Sequence, residues 1–231
     1  MTTKQNNTKE ILIIALKLLV ICSIVATIIA FVNSITKDKI AHNEMLKTAD
    51  ALSEIYSSEF DGKEFEVFDG EYVIRVKDKN VAKCVAAEIT PIDDSVTGLY
   101  VLTGSDGTCL GYCVSIEPMG FKDVIKMLVA VNSDLSIKGV EIVSMSETSG
   151  YGTRAKDDPN PPSGKEGSDW FLKQFEGMTE SGFIKNSKGR YETVDTISGA
   201  TKTSQPVSEA VETALKQVSE YNKTSGGAVN E

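Results

Sequence analysis

The sequence predicts an α+β protein in which one N-terminal transmembrane helix precedes a single extracytoplasmic domain. Three observations predict this class: a long apolar segment near the amino terminus, two runs of strand-like residues that turn back on themselves, and one amphipathic helix close to the carboxyl terminus. The 231 residues leave room for one medium-sized domain besides the apolar helix.

The first element is the apolar segment Ile11–Val32, and no charged residue occurs within Leu18–Thr36. A bilayer core requires roughly 20 apolar residues of helix. Lys17 lies near one end, where its side chain can reach the headgroups. A cleavable signal peptide is the alternative, but its apolar core is shorter and ends in small residues, whereas this segment ends in larger ones such as Phe31. We therefore expect a retained, single-pass anchor.

The numbers of lysines on the two sides of this segment differ little, so the positive-inside rule favours an orientation without fixing it. The simplest topology keeps the short amino terminus inside and exports the acidic domain. We expect a cytoplasmic N-terminus over residues 1–10, a transmembrane helix over 11–34 and a stalk or linking helix over 35–60. The domain would follow over 61–223, and a disordered tail over 224–231.

The middle of the chain predicts antiparallel strands. Residues 71–76 read as a strand, and hairpins are predicted within 99–116 and 127–143, where Gly, Asn and Asp separate β-rich runs. A polar loop with three prolines follows over 153–168, a length typical of functional or mobile loops. Asp169–Phe175 reads as a short helix.

The last helix has the clearest pattern in the chain. Pro206 fits its first turn, and Thr203 or Ser204 is predicted to cap it. Seven apolar residues fall on one face at helical spacing. They are Val207, Ala210, Val211, Ala214, Leu215, Val218 and Tyr221.

Composition excludes some classes of function. The net charge of −9 and the absence of a basic, aromatic-rich patch argue against nucleic-acid binding. Cys109 and Cys113 are predicted to lie on one face of a strand, about 13 Å apart, too far for a disulfide between them. Buried free thiols are the simplest interpretation, although a bridge from Cys84 to one of the pair stays open. No metal site is predicted.

The stretch Asp195–Thr201, immediately before the last helix, offers a seat for a phosphate. Gly199 and Ala200 have almost no side chain, so a ligand can approach the main chain. The helix start supplies unpaired N–H groups and a positive dipole end, and Thr203 adds a hydroxyl there. On these grounds alone, a polar turn that leads into a capped helix is the simpler explanation.

Five residues of this stretch resemble an acceptor motif, D-x-x-S/T-G-A-T/S. The motif belongs to the FMN-binding domain found in the G subunit of Rnf electron-transport complexes and in the C subunit of sodium-pumping NADH:quinone oxidoreductases. In that family a flavin transferase attaches FMN by a phosphoester bond to the last hydroxyl residue of the motif. The resemblance assigns that role to Thr201. The matching residues are Asp195, Ser198, Gly199, Ala200 and Thr201.

A second region resembles the family's E-T-x-G-x-G sequence. Here the variable places hold Ser149 and Tyr151, where family members carry Pro and Leu, so the pattern of glycines is kept and the contacts to the flavin ring are less defined. The cofactor-binding residues implied by the resemblance are Thr201, Ser198, Gly199, Ala200, Asp195, Thr203, Glu147, Thr148, Gly150 and Gly152. No catalytic residue is predicted, because the sequence shows no general base, nucleophilic triad or substrate cleft.

The resemblance implies an electron-relay subunit of a membrane-bound Rnf-type complex, an ion-translocating ferredoxin:NAD⁺ oxidoreductase of the translocase class. The chain would be a flavoprotein and, through the ester, a phosphoprotein, anchored in the plasma or inner membrane of a prokaryote. Its partners would be the other membrane and peripheral subunits of the complex and a flavin transferase. Three alternatives stay open: the C-type subunit of the quinone oxidoreductase, a flavin-free anchored binding or sensor module, and a stand-alone flavin enzyme.

Overall fold

In the computed structural model, residues 3–76 and 79–225 are described, and they form the α+β architecture that the sequence predicts. The chain divides into two compact units, 1–45 and 46–231. Of the predicted tail, residues 226–231 lie outside the described part of the chain, as do residues 1 and 2 of the predicted cytoplasmic N-terminus.

The first helix, α1, runs from Thr3 to Ile55. Within the described residues it is the one helix whose length and composition would allow it to cross a membrane, a test that a signal sequence also passes. The large apolar side chains of its first part, from Ile11 to Ile35, are exposed. No Gly or Pro occurs between those residues and Ile55, so nothing in the sequence interrupts the helix.

The second unit is built on a seven-stranded antiparallel sheet in which every strand pairs with the next along the chain. Short turns suffice to join such strands, which explains the alternation of β-rich runs with Gly, Asn and Asp in the sequence. Both predicted hairpins and the predicted strand over 71–76 are confirmed. The strands are β1 (Glu66–Phe68), β2 (Glu71–Val76), β3 (Lys79–Ala86), β4 (Val96–Gly104), β5 (Cys109–Ile116), β6 (Lys126–Asn132) and β7 (Ile137–Ser144).

One face of the sheet carries the main hydrophobic core. There β5, β6 and β7 pack against the short helix α2 (Trp170–Lys173) and the long helix α3 (Thr201–Ser225). The apolar face predicted for the last helix is confirmed: its residues from Val207 to Val218 are buried, and Tyr221 packs on the edge of this core. This packing fixes the start of α3 against the end of the sheet.

The opposite face of the sheet is covered by the end of α1. Leu52 and Tyr56 are 1% and 2% exposed, and glycines of the sheet make room for this segment. A Cβ at Gly139 would lie 3.1 Å from Cγ2 of Ile55, and one at Gly111 would lie 3.5 Å from the Tyr56 hydroxyl. The last turns of α1 are therefore part of the folded unit that contains the sheet.

The strands also correct one prediction about the cysteines. Cys113 is fully buried on the α1 side of the sheet, whereas Cys109 packs against the α3-side core. A register irregularity between Leu102 and Thr103, opposite Gly111 and Cys109, breaks the alternation of side chains. The prediction that both thiols share a face is therefore wrong. All four cysteines are free.

Candidate functional site

The start of α3 exposes the hydroxyl of Thr201. The carbonyl of Ala200 accepts hydrogen bonds from the N–H groups of Thr203 (3.0 Å) and Ser204 (2.9 Å). In the described part of the chain, the N–H groups of Thr201 and Lys202 have no acceptor. Free N–H groups at the positive end of a 25-residue helix form a natural seat for an anion.

The predicted cap at Thr203 or Ser204 is wrong, because the helix begins at Thr201. Both side chains are buried and make other bonds: the Thr203 hydroxyl donates to Oε2 of Glu147 at 3.0 Å, and the Ser204 hydroxyl donates to the carbonyl of Ala200 at 3.1 Å. The helix therefore begins about one turn earlier in the chain than the capping pattern predicts, because Thr203 bonds to Glu147 instead of capping the helix.

Thr201 borders a cavity of about 440 Å³, a size typical of small-molecule sites. A second cavity of about 400 Å³ shares Phe121, Thr201 and Lys202 with it. The Lys202 ammonium lies 5.6 Å from the centre of the Phe121 ring, so a cation and an aromatic ring stand side by side between the two spaces. The first cavity is lined by Phe121, Glu147, Thr148, Tyr151, Gly152, Gly199, Ala200, Thr201, Lys202 and Thr203.

Two glycines shape this cavity for different reasons. Gly199 has φ of +78°, in the left-handed region that favours glycine, and the Tyr151 ring lies 3.5 Å from where its Cβ would be. Gly152 is buried, and a Cβ there would lie 2.6 Å from Oε2 of Glu147 and 2.8 Å from the Thr203 hydroxyl. Gly199 thus allows the turn into α3, and Gly152 allows the close packing beneath the cavity.

Glu147 lies at the floor of the cavity and is 8% exposed. Its Oε1 accepts hydrogen bonds from the N–H groups of Phe121 (2.8 Å) and Lys122 (3.1 Å), and its Oε2 accepts the Thr203 hydroxyl. A buried carboxylate is tolerated only when such donors surround it. Both of its oxygens are therefore engaged within the protein.

The long loop after β7 is organised around a second buried acid, Asp158. The Arg154 guanidinium binds it with two bonds of 3.0 and 2.8 Å, and the indole N–H of Trp170 donates to it at 2.9 Å. Its Oδ1 also accepts the N–H of Asn160 at 3.1 Å. The bonds from Arg154 lower the pKa of Asp158. Arg154 also donates to the carbonyl of Ser198 at 3.5 Å, which connects this loop to the stretch before α3.

Asp195 lies at the other end of that stretch, outside the cavity lining. Its backbone is paired with the side chain of Gln174, which accepts its N–H at 2.8 Å and donates to its carbonyl at 3.2 Å. Its exposed carboxylate forms an ion pair with Lys165 at 2.5 Å. Asp195 therefore fixes the course of the chain before α3.

The structure brings most of the sequence-predicted residues together. Ser198, Gly150 and Asp195 do not contribute to the cavity lining. Phe121 was missed by the sequence reasoning, and its only signal was an aromatic residue between a glycine and two charges in a short connection between strands. Arg154, Asp158 and Gln174 had no local signal. The predicted residues that line the cavity are Thr201, Gly199, Ala200, Thr203, Glu147, Thr148 and Gly152.

Comparison with known proteins identifies the class of domain. Residues 120–216 match the FMN-binding domain family, a range that includes the cavity and most of α3. Residues 1–55, which cover α1, match the RnfG N-terminal region. The region with the cavity and α3 is thus similar to FMN-binding domains, and α1 is similar to the N-terminal region of RnfG proteins.

Similar proteins agree with this assignment. The chain is 25% identical over 215 residues to the G subunit of the ion-translocating oxidoreductase complex of Methanosarcina acetivorans, covering 93% of this chain and 97% of the relative. It is 30% identical over 112 residues to the G subunit of the proton-translocating ferredoxin:NAD(+) oxidoreductase complex of Clostridium ljungdahlii, covering 48% and 55% of the two chains. The chain is thus similar to G subunits of ion-translocating oxidoreductase complexes over most of its length.

A solved structure with a similar course of the chain is that of the C subunit of the Na(+)-translocating NADH-quinone reductase from Parabacteroides distasonis. The TM-score is 0.46 and the identity is 20%, over 81% of this chain and 94% of that one.

Proposed function

We propose that this chain is the electron-relay subunit of a membrane-bound, Rnf-type ion-translocating ferredoxin:NAD⁺ oxidoreductase, and that it carries FMN in a phosphoester bond to Thr201. The observation that carries the proposal is the exposed Thr201 hydroxyl at the free N–H groups of α3, beside a cavity of about 440 Å³. The match to the FMN-binding domain family and the names of the relatives support the same role.

The residues at the site fit the chemical parts of FMN. The N–H groups of Thr201 and Lys202 would donate to phosphate oxygens, and the Lys202 ammonium would offset the phosphate charge. The exposed rings of Phe121 and Tyr151 offer apolar surface to the isoalloxazine. FMN supplies the capacity to accept one or two electrons, while the protein sets its environment through hydrogen bonds and burial.

Attachment would require a flavin transferase, which takes FMN from its substrate FAD. The Thr201 oxygen would form a new bond to the FMN phosphorus, the pyrophosphate bond of FAD would break, and AMP would leave while the transferase takes up the hydroxyl proton. Because the reaction occurs at an exposed hydroxyl, the domain can be folded before modification. A covalent bond prevents loss of the cofactor. Because FMN cannot be readily replenished outside the cytoplasm, this link suits our proposal that the domain faces away from the cytoplasm.

The match of residues 1–55 to the RnfG N-terminal region favours the Rnf assignment over the C-type subunit of the quinone oxidoreductase. We further propose the anchor over residues 11–34 and the FMN-binding domain over 61–223. The exposed apolar surface of α1 up to Ile35 supports the membrane segment.

Intact-mass measurement tests the covalent bond. The full chain, produced with its flavin transferase, is expected to gain the mass of one FMN less one water, and Thr201→Ala is expected to show no gain. Thr196→Ala removes an exposed hydroxyl from the same stretch and serves as the matched control, with full modification expected. An unmodified wild-type chain from a host that modifies a known acceptor would contradict the proposal and favour a flavin-free module.

A further inference from the structure

The connection between β5 and β6 is a small hairpin, Met119–Val124, which we name the β5–β6 loop. Its ends are paired by a bridge between Met119 and Val124, and the N–H of Gly120 donates to the carbonyl of Asp123 at 2.9 Å. Phe121 and Lys122 form its tip, and the Phe121 side chain is 58% exposed. More than half of this residue is therefore open to solvent or to a ligand.

The tip of this loop is attached to the rest of the domain through Glu147. The N–H groups of Phe121 and Lys122 both donate to Oε1 of Glu147, while Thr203 in the first turn of α3 donates to Oε2. One buried carboxylate therefore joins three segments: the β5–β6 loop, the chain after β7 and the start of α3. Hydrogen bonds to a charged acceptor are stronger than those to neutral ones.

The surroundings of Glu147 leave this carboxylate little freedom to move. Gly152 packs on it from one side, where a Cβ would lie 2.8 Å from Cβ of Glu147. Gly120 packs on Oε1 from the other side, with no room for a Cβ. Any side chain at either glycine would push the carboxylate away from the loop. Glu147 thus holds the backbone of the loop tip, from which the Phe121 ring extends to its contact with Lys202, next to Thr201.

We propose that Glu147 is a positioning residue of the flavin site: it holds the Phe121 ring as a wall of the cavity next to Thr201, against which the aromatic ring system of the cofactor lies. This inference rests on the proposed function and deepens it, since it adds Phe121 to the binding residues and gives Glu147 an indirect role. The ligand class is a phosphorylated aromatic heterocycle, for which the phosphate seat lies at α3 and the ring wall lies on the β5–β6 loop.

The test uses the full-length, FMN-loaded protein in detergent and measures two properties of the bound flavin: its visible circular dichroism and its quenching by iodide. Phe121→Ala is expected to lower the dichroism and to raise the quenching constant on the order of twofold, because the ring wall is lost. Glu147→Leu is expected to give the same change while Thr201 is still modified. The reason is that the N–H groups of Phe121 and Lys122 lose the acceptor that they share.

Glu147→Gln is the conservative variant. Its amide oxygen can still accept the N–H groups of Phe121 and Lys122, and the Thr203 hydroxyl can turn to accept the new N–H. We expect values close to those of the wild type. If the charge of Glu147 acted on the flavin directly, Glu147→Gln would resemble Glu147→Leu, and that result would overturn the inference. Glu141→Gln removes another largely buried carboxylate, on β7 away from the cavity, and is the control.

The double variant Glu147→Leu with Phe121→Ala separates positioning from a general loss of structure. If Glu147 acts through Phe121, the double variant changes the flavin signals no more than Phe121→Ala alone. Additive changes, or a normal flavin signal in Glu147→Leu, would overturn the inference. Glu147→Asp, whose shorter side chain cannot reach the loop, replaces Glu147→Leu should the latter fail to fold. A wild-type chain that carries no flavin by mass overturns the proposed function, and the inference with it.

Discussion

The buried carboxylate of Asp158 permits the sharpest prediction about stability. The substitution Asp158→Asn keeps the size of the side chain but replaces one acceptor oxygen by an NH₂ donor. In either orientation that donor would face an N–H of the Arg154 guanidinium, together with the N–H of Asn160 or the indole N–H of Trp170, so two of the four hydrogen bonds to Asp158 are lost.

The cost follows from those bonds. A hydrogen bond to a charged group contributes about 1.5–3 kcal/mol, and an orphaned buried donor costs a similar amount. Arg154 is partly exposed and can recover water, which lowers the sum, so we expect Asp158→Asn to reduce the free energy of unfolding by about 2–4 kcal/mol. For a chain of this size, such a loss lowers the melting temperature by roughly 5–15 °C.

Thermal unfolding followed by circular dichroism measures this difference, with Asp157→Asn at the exposed neighbouring position as the control. Because the folded state lowers the pKa of Asp158, its stabilisation is fully present above the unfolded pKa of about 3.9 and is lost as the pH falls through the lower folded value. The gap between wild type and Asp158→Asn should therefore narrow in acid. Equal melting temperatures at pH 7, or a gap that widens below pH 4, would refute the reasoning.

Two further predictions concern the face of the sheet that α1 covers. Leu52→Ala is expected to reduce the free energy of unfolding by about 2–5 kcal/mol, because it leaves a cavity where a fully buried side chain was. Leu46→Ala, at an exposed position, is the control and is expected to leave that free energy unchanged. Denaturant titrations measure both values. Burial raises the pKa of the Cys84 thiol to about 12. At pH 8 the buried thiols of Cys84 and Cys113 should therefore react with iodoacetamide far more slowly than the half-buried Cys109. Peptide mass measures the rates, and equal rates would contradict the burial.

Elements with a strong periodic pattern could be predicted from the sequence. The hairpins and α3 are specified by residues close together in the chain, since turn residues and apolar spacing report local structure directly. The acceptor stretch before α3 could also be identified, because its small residues, hydroxyls and helix start are contiguous. The family resemblance then gave it a chemical meaning that the pattern alone did not have.

Features that depend on distant partners could not be predicted. Asp157 and Asp158 are adjacent and chemically identical in the sequence, yet only Asp158 is buried, because Arg154 and Trp170 meet on its side of the loop. The start of α3 was misplaced because Thr203 satisfies Glu147 instead of capping the helix. In each case a tertiary contact outweighs the local preference of the residue.

The hydrogen-bond donors that remain free at the site bear on why the proposed flavin bond would be covalent. A free FMN phosphate would carry about −1.5 to −2 charges at neutral pH. An ester to Thr201 leaves the phosphate with a single negative charge. The N–H groups of Phe121 and Lys122 are already used by Glu147, so the donors left for that charge are those at the start of α3. Under the proposed function, we therefore expect these few donors to suit a singly charged, tethered phosphate better than a freely exchanging, doubly charged one.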